Sequence, residues 1–261
     1  MLKKYDAIYL SPHLDDAALS CGGQIIQRVT AGQSVLIATF MAADPPTNTT
    51  SEFATHLHNR WELAESPVAA RRAEDIAACQ ILKADWYHGR WADCIYRLRP
   101  GTDQTMYHSN ADIFGTIDPA EQAVIVPEIT ADLQNLPEAT EIIAPLTIGN
   151  HVDHQLIRHA AEKAFGATNL RYYEDYPYAR SVKKREAVLN ERYTLAQTWQ
   201  LSEAETDIKC HSITAYQSQI STFFADFADM KKQIIAYQNK LGGEKVWRYQ
   251  LTTPPSHSPF L

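Results

Sequence analysis

The feature that most limits how this chain can fold is an apolar run, Tyr5 to Leu10 (YDAIYL). It breaks at Ser11-Pro12-His13-Leu14-Asp15-Asp16 into a helical pattern. The run is rich in the aromatic and branched residues that strands prefer. Pro12 keeps Ser11 out of the helical region, so the chain turns sharply there. Asp15-Asp16-Ala17-Ala18-Leu19 then begins a helix with acidic residues, where the helix dipole favours negative charge. One imidazole and two carboxylates thus stand at the carboxyl end of a strand, the place where open α/β sheets hold their ligands.

His13 and Asp16 are three residues apart, close enough to meet at one point if the helix begins between them. Imidazole and carboxylate are both ligands for a zinc-like divalent ion. Asp15 is then left beside the ion, where a carboxylate can take a proton from a coordinated water. On its own the hexapeptide reads equally well as a helix cap and a loop histidine. A second junction weighs against that. Gly149-Asn150-His151-Val152-Asp153-His154 also follows an apolar run, Glu141 to Pro145 (EIIAP), and also leads into a helical pattern, Gln155 to Phe165. A parallel sheet brings such junctions to one edge. One of His151 and His154 can complete a two-His, one-Asp set with an open position for water. The other is free as a proton donor or oxyanion stabiliser.

The two segments resemble the motifs of the LmbE-like zinc-dependent deacetylases, the GlcNAc-PI de-N-acetylase-like (PIG-L) family. Its P-H-P-D-D-E is matched by Pro12-His13-Leu14-Asp15-Asp16-Ala17, and its H-x-D-H by His151-Val152-Asp153-His154. The resemblance implies His13, Asp16 and His154 as zinc ligands and Asp15 as general base. It implies His151 as the group that stabilises the oxyanion or protonates the leaving amine, and Asp153 as the residue that orients His151. Leu14 for Pro alters only loop stiffness, whereas Ala17 for Glu removes a carboxylate just behind the metal site. Arg71-Arg72-Ala73-Glu74 is similar to the family's R-x-x-E, which makes Arg71 a candidate substrate contact; a surface salt bridge with Asp75 is the alternative. By the same likeness the activity is hydrolysis of an N-acetyl group on an N-acetylglucosamine conjugate or related amino sugar. Ferrous iron would tolerate the ligand set as well as zinc. A zinc amidase acting on a thiol conjugate or antibiotic precursor, and a metal-bound sugar-binding protein without turnover, stay open as alternatives.

Strand and helix patterns alternate along the chain, which argues an α/β fold, Rossmann-like and three-layered, with a mostly parallel sheet and helices on both faces. A helix from about Asp15 to Thr30 contains Gly22-Gly23, read as letting it lie close to the sheet. Ser34 to Met41 is the second strand. Asp44 to Ser66 is a polar connection with His56 and His58 and a possible short helix around Phe53, Leu57 and Trp61; it is expected to border the substrate pocket. Pro67 to Ala84 is an amphipathic helix with Ala69, Ile76, Ala77, Ile81 and Leu82 on its apolar period. Asp85 to His88 reads as a short strand, and Asp93 beyond it as a pocket-edge carboxylate that could accept sugar hydroxyls. Asp118-Pro119-Ala120-Glu121 caps a helix running to about Leu136, which Pro127 should kink or split. After a strand at Asn169 to Tyr173, Glu174-Asp175-Tyr176-Pro177-Tyr178 reads as the wall of a sugar pocket, with Glu174 and Asp175 as substrate contacts, or else as a packed loop. Glu203 to Gly242 is mostly helical, interrupted near Ser221-Thr222. Lys209, Tyr216, Ser218 and Gln219 in it resemble a late family segment, either a helical cover over the active-site edge or an oligomer contact. Glu244 to Leu251 reads as a final strand at a sheet edge, and 252–261 as a loosely held tail of one domain spanning 1–261.

Composition removes other classes. The net charge of −7 gives no basic footprint for nucleic acid and no attraction to an anionic membrane. Four widely spaced cysteines without a CxxC suggest free thiols rather than a disulfide framework. The apolar run after Met1 is too short for a signal peptide, and no stretch approaches the roughly 18 apolar residues of a membrane span. The partner that the resemblance implies is a small N-acylated amino sugar, and the expected compartment is the cytoplasm.

Overall fold

The computed structural model describes residues 3–46, 51–61, 67–99 and 101–251. Seven strands form one sheet: β1 (Tyr5–Ser11), β2 (Val35–Thr39), β3 (Asp85–His88), β4 (Ala139–Pro145), β5 (Arg171–Tyr173), β6 (Tyr193–Trp199) and β7 (Glu244–Tyr249). Their order is β3-β2-β1-β4-β5-β7-β6. The first five are parallel, and β7 joins β5 and β6 antiparallel. The chain grows outward from β1 to β3 on one side and then returns to place β4 on the other side of β1. That reversal leaves a crevice beyond the carboxyl ends of β1 and β4.

Side-chain alternation along the strands feeds a core on each face. On one face Ile8, Leu10, Leu36 and Ala38 pack against α5 (Pro119–Gln134) and α6 (Val152–Phe165) through Ile129, Leu133, Leu156 and Ala160. On the other, Ala7, Tyr9, Val35 and Ile37 meet α1 (Asp16–Thr30), α3 (Pro67–Leu82), α8 (Glu203–Thr214) and α10 (Phe227–Leu241). The three-layer α/β reading agrees with this architecture. The shorter helices α2 (Glu52–Arg60), α4 (Asn110–Ile113), α7 (Val182–Val188) and α9 (Gln217–Phe223) lie in connections. All four cysteines are free and buried. Among the described residues no helix is long and apolar enough to cross a membrane.

Several local expectations need correction. Helix α5 runs through Pro127 without splitting. Strand β7 is not an edge, because β6, which has no apolar run to announce it, pairs outside it. The buried face of α3 is Val68, Arg71, Asp75, Ala78, Cys79 and Leu82, while Ala69 is exposed, so polar residues occupy the face expected to be apolar. Gly22 and Gly23 make room for Lys209 and Leu201 rather than for the sheet: a Cβ on Gly23 would lie 2.1 Å from Leu201 Cδ1. The reading of 252–261 as a loose tail, and the parts of the polar connection at 47–50 and 62–66, lie outside the described residues.

Candidate active site

Both strand-to-helix junctions open into the crevice. Ser11 ends β1 and shapes the first: its hydroxyl donates to the His13 carbonyl (2.7 Å) and accepts the Ala17 amide (3.2 Å). The turn carries His13 across the strand end and starts α1 at Asp16. The Asp16 carboxylate accepts the His13 backbone N–H (2.8 Å). The same oxygen, Oδ2, lies 3.2 Å from His13 Nδ1 and 3.2 Å from His154 Nε2. His151 caps α6 and His154 follows within its first turn, so both rings face the same space. Ring centroids of His13 lie 4.7 Å from His151 and 5.3 Å from His154.

A carboxylate orients each of two imidazoles from behind. Asp175 Oδ1 accepts from His154 Nδ1 (2.7 Å), and its Oδ2 accepts the Ile148 N–H (2.8 Å). Asp153 Oδ2 lies 2.9 Å from His13 Nε2 and also accepts the Cys94 N–H (3.0 Å), while Oδ1 forms an ion pair with Arg97 Nη1 (2.5 Å). The expectation that the Asp153 carboxylate orients His151 is therefore corrected. Its side chain reaches back to the other junction, and only its backbone N–H meets His151, donating to Nδ1 (3.2 Å). With Nδ1 accepting, a neutral His151 carries its proton on Nε2.

Charges follow this arrangement. Burial works against a charged His154, but the carboxylates of Asp16 and Asp175 outweigh it and push its pKa up to about 9. Burial likewise opposes a charged His13, yet Asp93, Asp153 and Asp16 raise it well above the ordinary histidine range. Asp16 is held well below the carboxylate range by the two imidazoles despite its burial. His151 goes the other way: burial and the neighbouring His13 charge drive it down, so it is neutral. Asp15 is pushed up to about 7 by burial and by the charge of Asp16. It occupies the N-cap position of α1 without using its side chain as a cap, and among the described residues its carboxylate accepts no hydrogen bond. An unoccupied carboxylate beside a cluster of donors does not fit a purely structural cap.

The cluster opens into a cavity of about 410 Å³. Its floor holds His13, Asp15, Asp16 and His151, with Arg71 and Asp93 beside them, and its walls include Leu57, Trp61, Ile95, Phe114, Tyr178 and Phe223. The polar connection thus borders the cleft through Leu57, Arg60 and Trp61, and α9 covers it through Gln219, Thr222 and Phe223. Arg71 is buried with its guanidinium 4.8 Å from the Trp61 ring centre and Nη1 3.8 Å from Asp93 Oδ2. It forms no surface bridge with Asp75, which is taken by His88 Nε2 (2.8 Å) and the Tyr216 hydroxyl (2.7 Å). Glu74 accepts the backbone N–H and hydroxyl of Ser218 and so ties α3 to α9.

Glu174 and Asp175, expected as substrate contacts, are buried and do not line the cleft. Asp175 is 1% exposed behind His154, and Glu174 turns away to accept from Tyr237 and Trp247 Nε1. His58 contacts the Tyr96 hydroxyl (2.5 Å) rather than the donor cluster. Of the segment read as a pocket wall, Tyr178 does line the cleft; Phe114, and Arg97 behind Asp153, had no signal in residue spacing, because each reaches the site through tertiary packing.

The fold and this donor cluster define an α/β protein built to carry a metal at the switch point of its sheet. The sequence profile of the GlcNAc-PI de-N-acetylases (PIG-L) matches residues 8–165, and the chain belongs to that family. It is 30% identical over 194 residues to a 2'-N-acetylparomamine deacetylase of Streptomyces fradiae, a match covering 73% of this chain and 63% of the relative. It is 24% identical over 243 residues to a 2'-N-acetylparomamine deacetylase of Niallia circulans, covering 86% of this chain and 84% of that one. The structure of the zinc-inhibited form of a teicoplanin deacetylase superposes with a TM-score of 0.79 at 27% identity, covering 97% of this chain and 100% of the other.

Proposed function

We propose that the protein is a zinc-dependent hydrolase that removes an N-acetyl group from an amino-sugar conjugate, working as one domain. The observation that carries the reading is the convergence of His13 Nδ1 and His154 Nε2 on a single oxygen of Asp16, each at 3.2 Å. The donor set fits the ion. Tetrahedral zinc with bonds of ~2.0–2.1 Å has ligand–ligand edges of about 3.3 Å, and each imidazole has its far nitrogen held by a carboxylate, as ligating histidines do. His13, Asp16 and His154 would hold zinc, or ferrous iron, with the cleft side left for substrate and water.

A zinc ion there supplies Lewis acidity, lowering the pKa of water from about 16 towards ~7 and polarising an acyl carbonyl. The free Asp15 carboxylate accepts the proton of the attacking water. His151, neutral with its proton on Nε2, donates a hydrogen bond to the acyl oxygen as negative charge develops on it; one such donor is worth ~3 kcal/mol. The amine leaves after taking from Asp15 the proton that Asp15 accepted from the water. Arg71 and Asp93, on the floor of the cleft, offer a donor and an acceptor to sugar hydroxyls, and the rings of Trp61, Phe114 and Phe223 offer faces for the sugar and its aglycone. The names of the relatives support an N-acetyl group on a sugar of a biosynthetic intermediate. Acetate release from a panel of N-acetylated amino sugars, with and without chelator, tests the reading. Release that survives complete metal removal, or no release from any N-acetyl sugar by the zinc-loaded protein, would refute it.

A further inference from the structure

Arg97 lies outside every motif, and Glu121, read as part of a helix cap, turns its carboxylate inward instead; both are buried, at 7% and 1% exposure. Arg97 Nε donates to Glu121 Oε1 (2.5 Å), and its Nη1 donates to the Ala92 carbonyl (3.1 Å) and pairs with Asp153 Oδ1 (2.5 Å). Glu121 sits in the first turn of α5, and its other oxygen accepts the Tyr107 hydroxyl. Asp153 passes the row on to His13 Nε2 through its second oxygen. An unbroken buried chain, Tyr107–Glu121–Arg97–Asp153–His13, therefore runs from α5 to the donor cluster.

We propose that Arg97 is a positioning residue for the metal site: clamped by Glu121, it fixes the Asp153 carboxylate so that His13 presents Nδ1 beside Asp16 and His154. This rests on the zinc assignment above. Three features support it. Asp153 is 0% exposed, and a buried carboxylate without a counter-charge is unfavourable. The planar guanidinium reaches two carboxylates in different directions at once, which a lysine ammonium on a flexible stem does not reproduce. Rotation of Asp153 would withdraw Oδ2 from His13 and free the ring to turn, and loss of such outer partners typically weakens metal binding by about 10–100-fold.

The test measures zinc affinity of the full-length protein by chelator competition, with the absorption spectrum of the cobalt-substituted form and kcat and KM alongside. Arg97→Met is expected to weaken zinc binding ~10–100-fold and change the cobalt spectrum, with Arg97→Lys in between. Asp153→Asn should cause a similar loss, and the double variant little more, since two members of one chain are not additive. Lys209→Met is the control: it breaks an equally buried pair with Glu244 (2.5 Å) away from the cleft and should lower thermal stability without changing zinc affinity. Arg97→Met/Glu121→Gln restores charge balance without restoring the clamp. Recovery of parental zinc affinity in it would mean that Arg97 only neutralises Glu121, and would overturn the proposal, as would parental affinity in Arg97→Met. Should Arg97→Met not fold, Arg97→Lys and the charge-balanced variant answer through the same readouts. A parent protein that binds no zinc refutes the metal reading itself, a result distinct from parental-level binding in the variants.

Discussion

Replacing Asp175 by Asn separates a residue that aims a ligand from one that touches substrate. Its two carboxylate oxygens serve two buried donors, His154 Nδ1 at 2.7 Å and the Ile148 amide at 2.8 Å. Asparagine has a single acceptor oxygen and turns an NH2 towards the other donor, leaving one buried N–H unmatched at a cost of ~1–3 kcal/mol. If the mismatch falls on His154, zinc affinity drops about 10–100-fold, or ~1.4–2.8 kcal/mol. If it falls on Ile148, the cost appears as stability, and the loop that delivers α6 loosens. The expected result is weaker zinc binding in chelator competition together with a lowered Tm. At saturating zinc, KM should stay unchanged, because Asp175 is 1% exposed and lies behind His154. A raised KM with parental zinc affinity would refute this reasoning and make Asp175 a substrate contact after all.

Asp15→Asn should retain zinc and lose about 10²–10⁴-fold in kcat, the usual contribution of a general base; near-parental turnover would remove Asp15 from that role. His154→Ala should abolish the zinc-dependent rise in Tm that the parent shows, which differential scanning calorimetry with and without added zinc reads directly. Because Asp15 works only as carboxylate and burial with the Asp16 charge raises its pKa to about 7, kcat/KM should fall as pH drops through that group's pKa. A bound dication favours the carboxylate and moves this acid limb below 7, and the limb should vanish in the residual activity of Asp15→Asn. Gly243→Ala should cost ~1–3 kcal/mol, seen as a lower denaturant midpoint, since the residue has φ +130° and its Cβ would sit 2.1 Å from the Trp199 carbonyl oxygen.

The parallel half of the sheet was legible because buried parallel strands read as largely apolar runs, as Tyr5–Leu10 and Ser34–Met41 do. The donors were legible for a related reason: His13 and Asp16, and His151 and His154, each lie three apart at a strand end, so local geometry alone brings each pair together. Partnership between distant segments was not. Asp153 looked like a partner for the histidine two residues before it, whereas its side chain crosses to His13 on the other junction. Glu174 and Asp175 looked like pocket acids because aromatics surround them, yet both carboxylates point into the protein. The antiparallel strand Tyr193–Trp199 escaped notice because a sheet-edge strand half-exposed along its length has no apolar run. The inner face of α3 was misread for the opposite reason, since its buried positions include Arg71 and Asp75, held there by charge and hydrogen bonding rather than apolarity.

The cleft walls and its reactive floor come from different kinds of chain. The donors are fixed at the ends of two adjacent parallel strands, whereas Leu57 and Trp61, Phe114, and Phe223 arrive on three separate excursions between core elements. Insertions or exchanges in those excursions can reshape what enters without moving a single imidazole. A lineage with this layout can change the molecule it admits while keeping the donor cluster intact, and an engineer seeking a new ligand would graft excursions rather than edit strand ends.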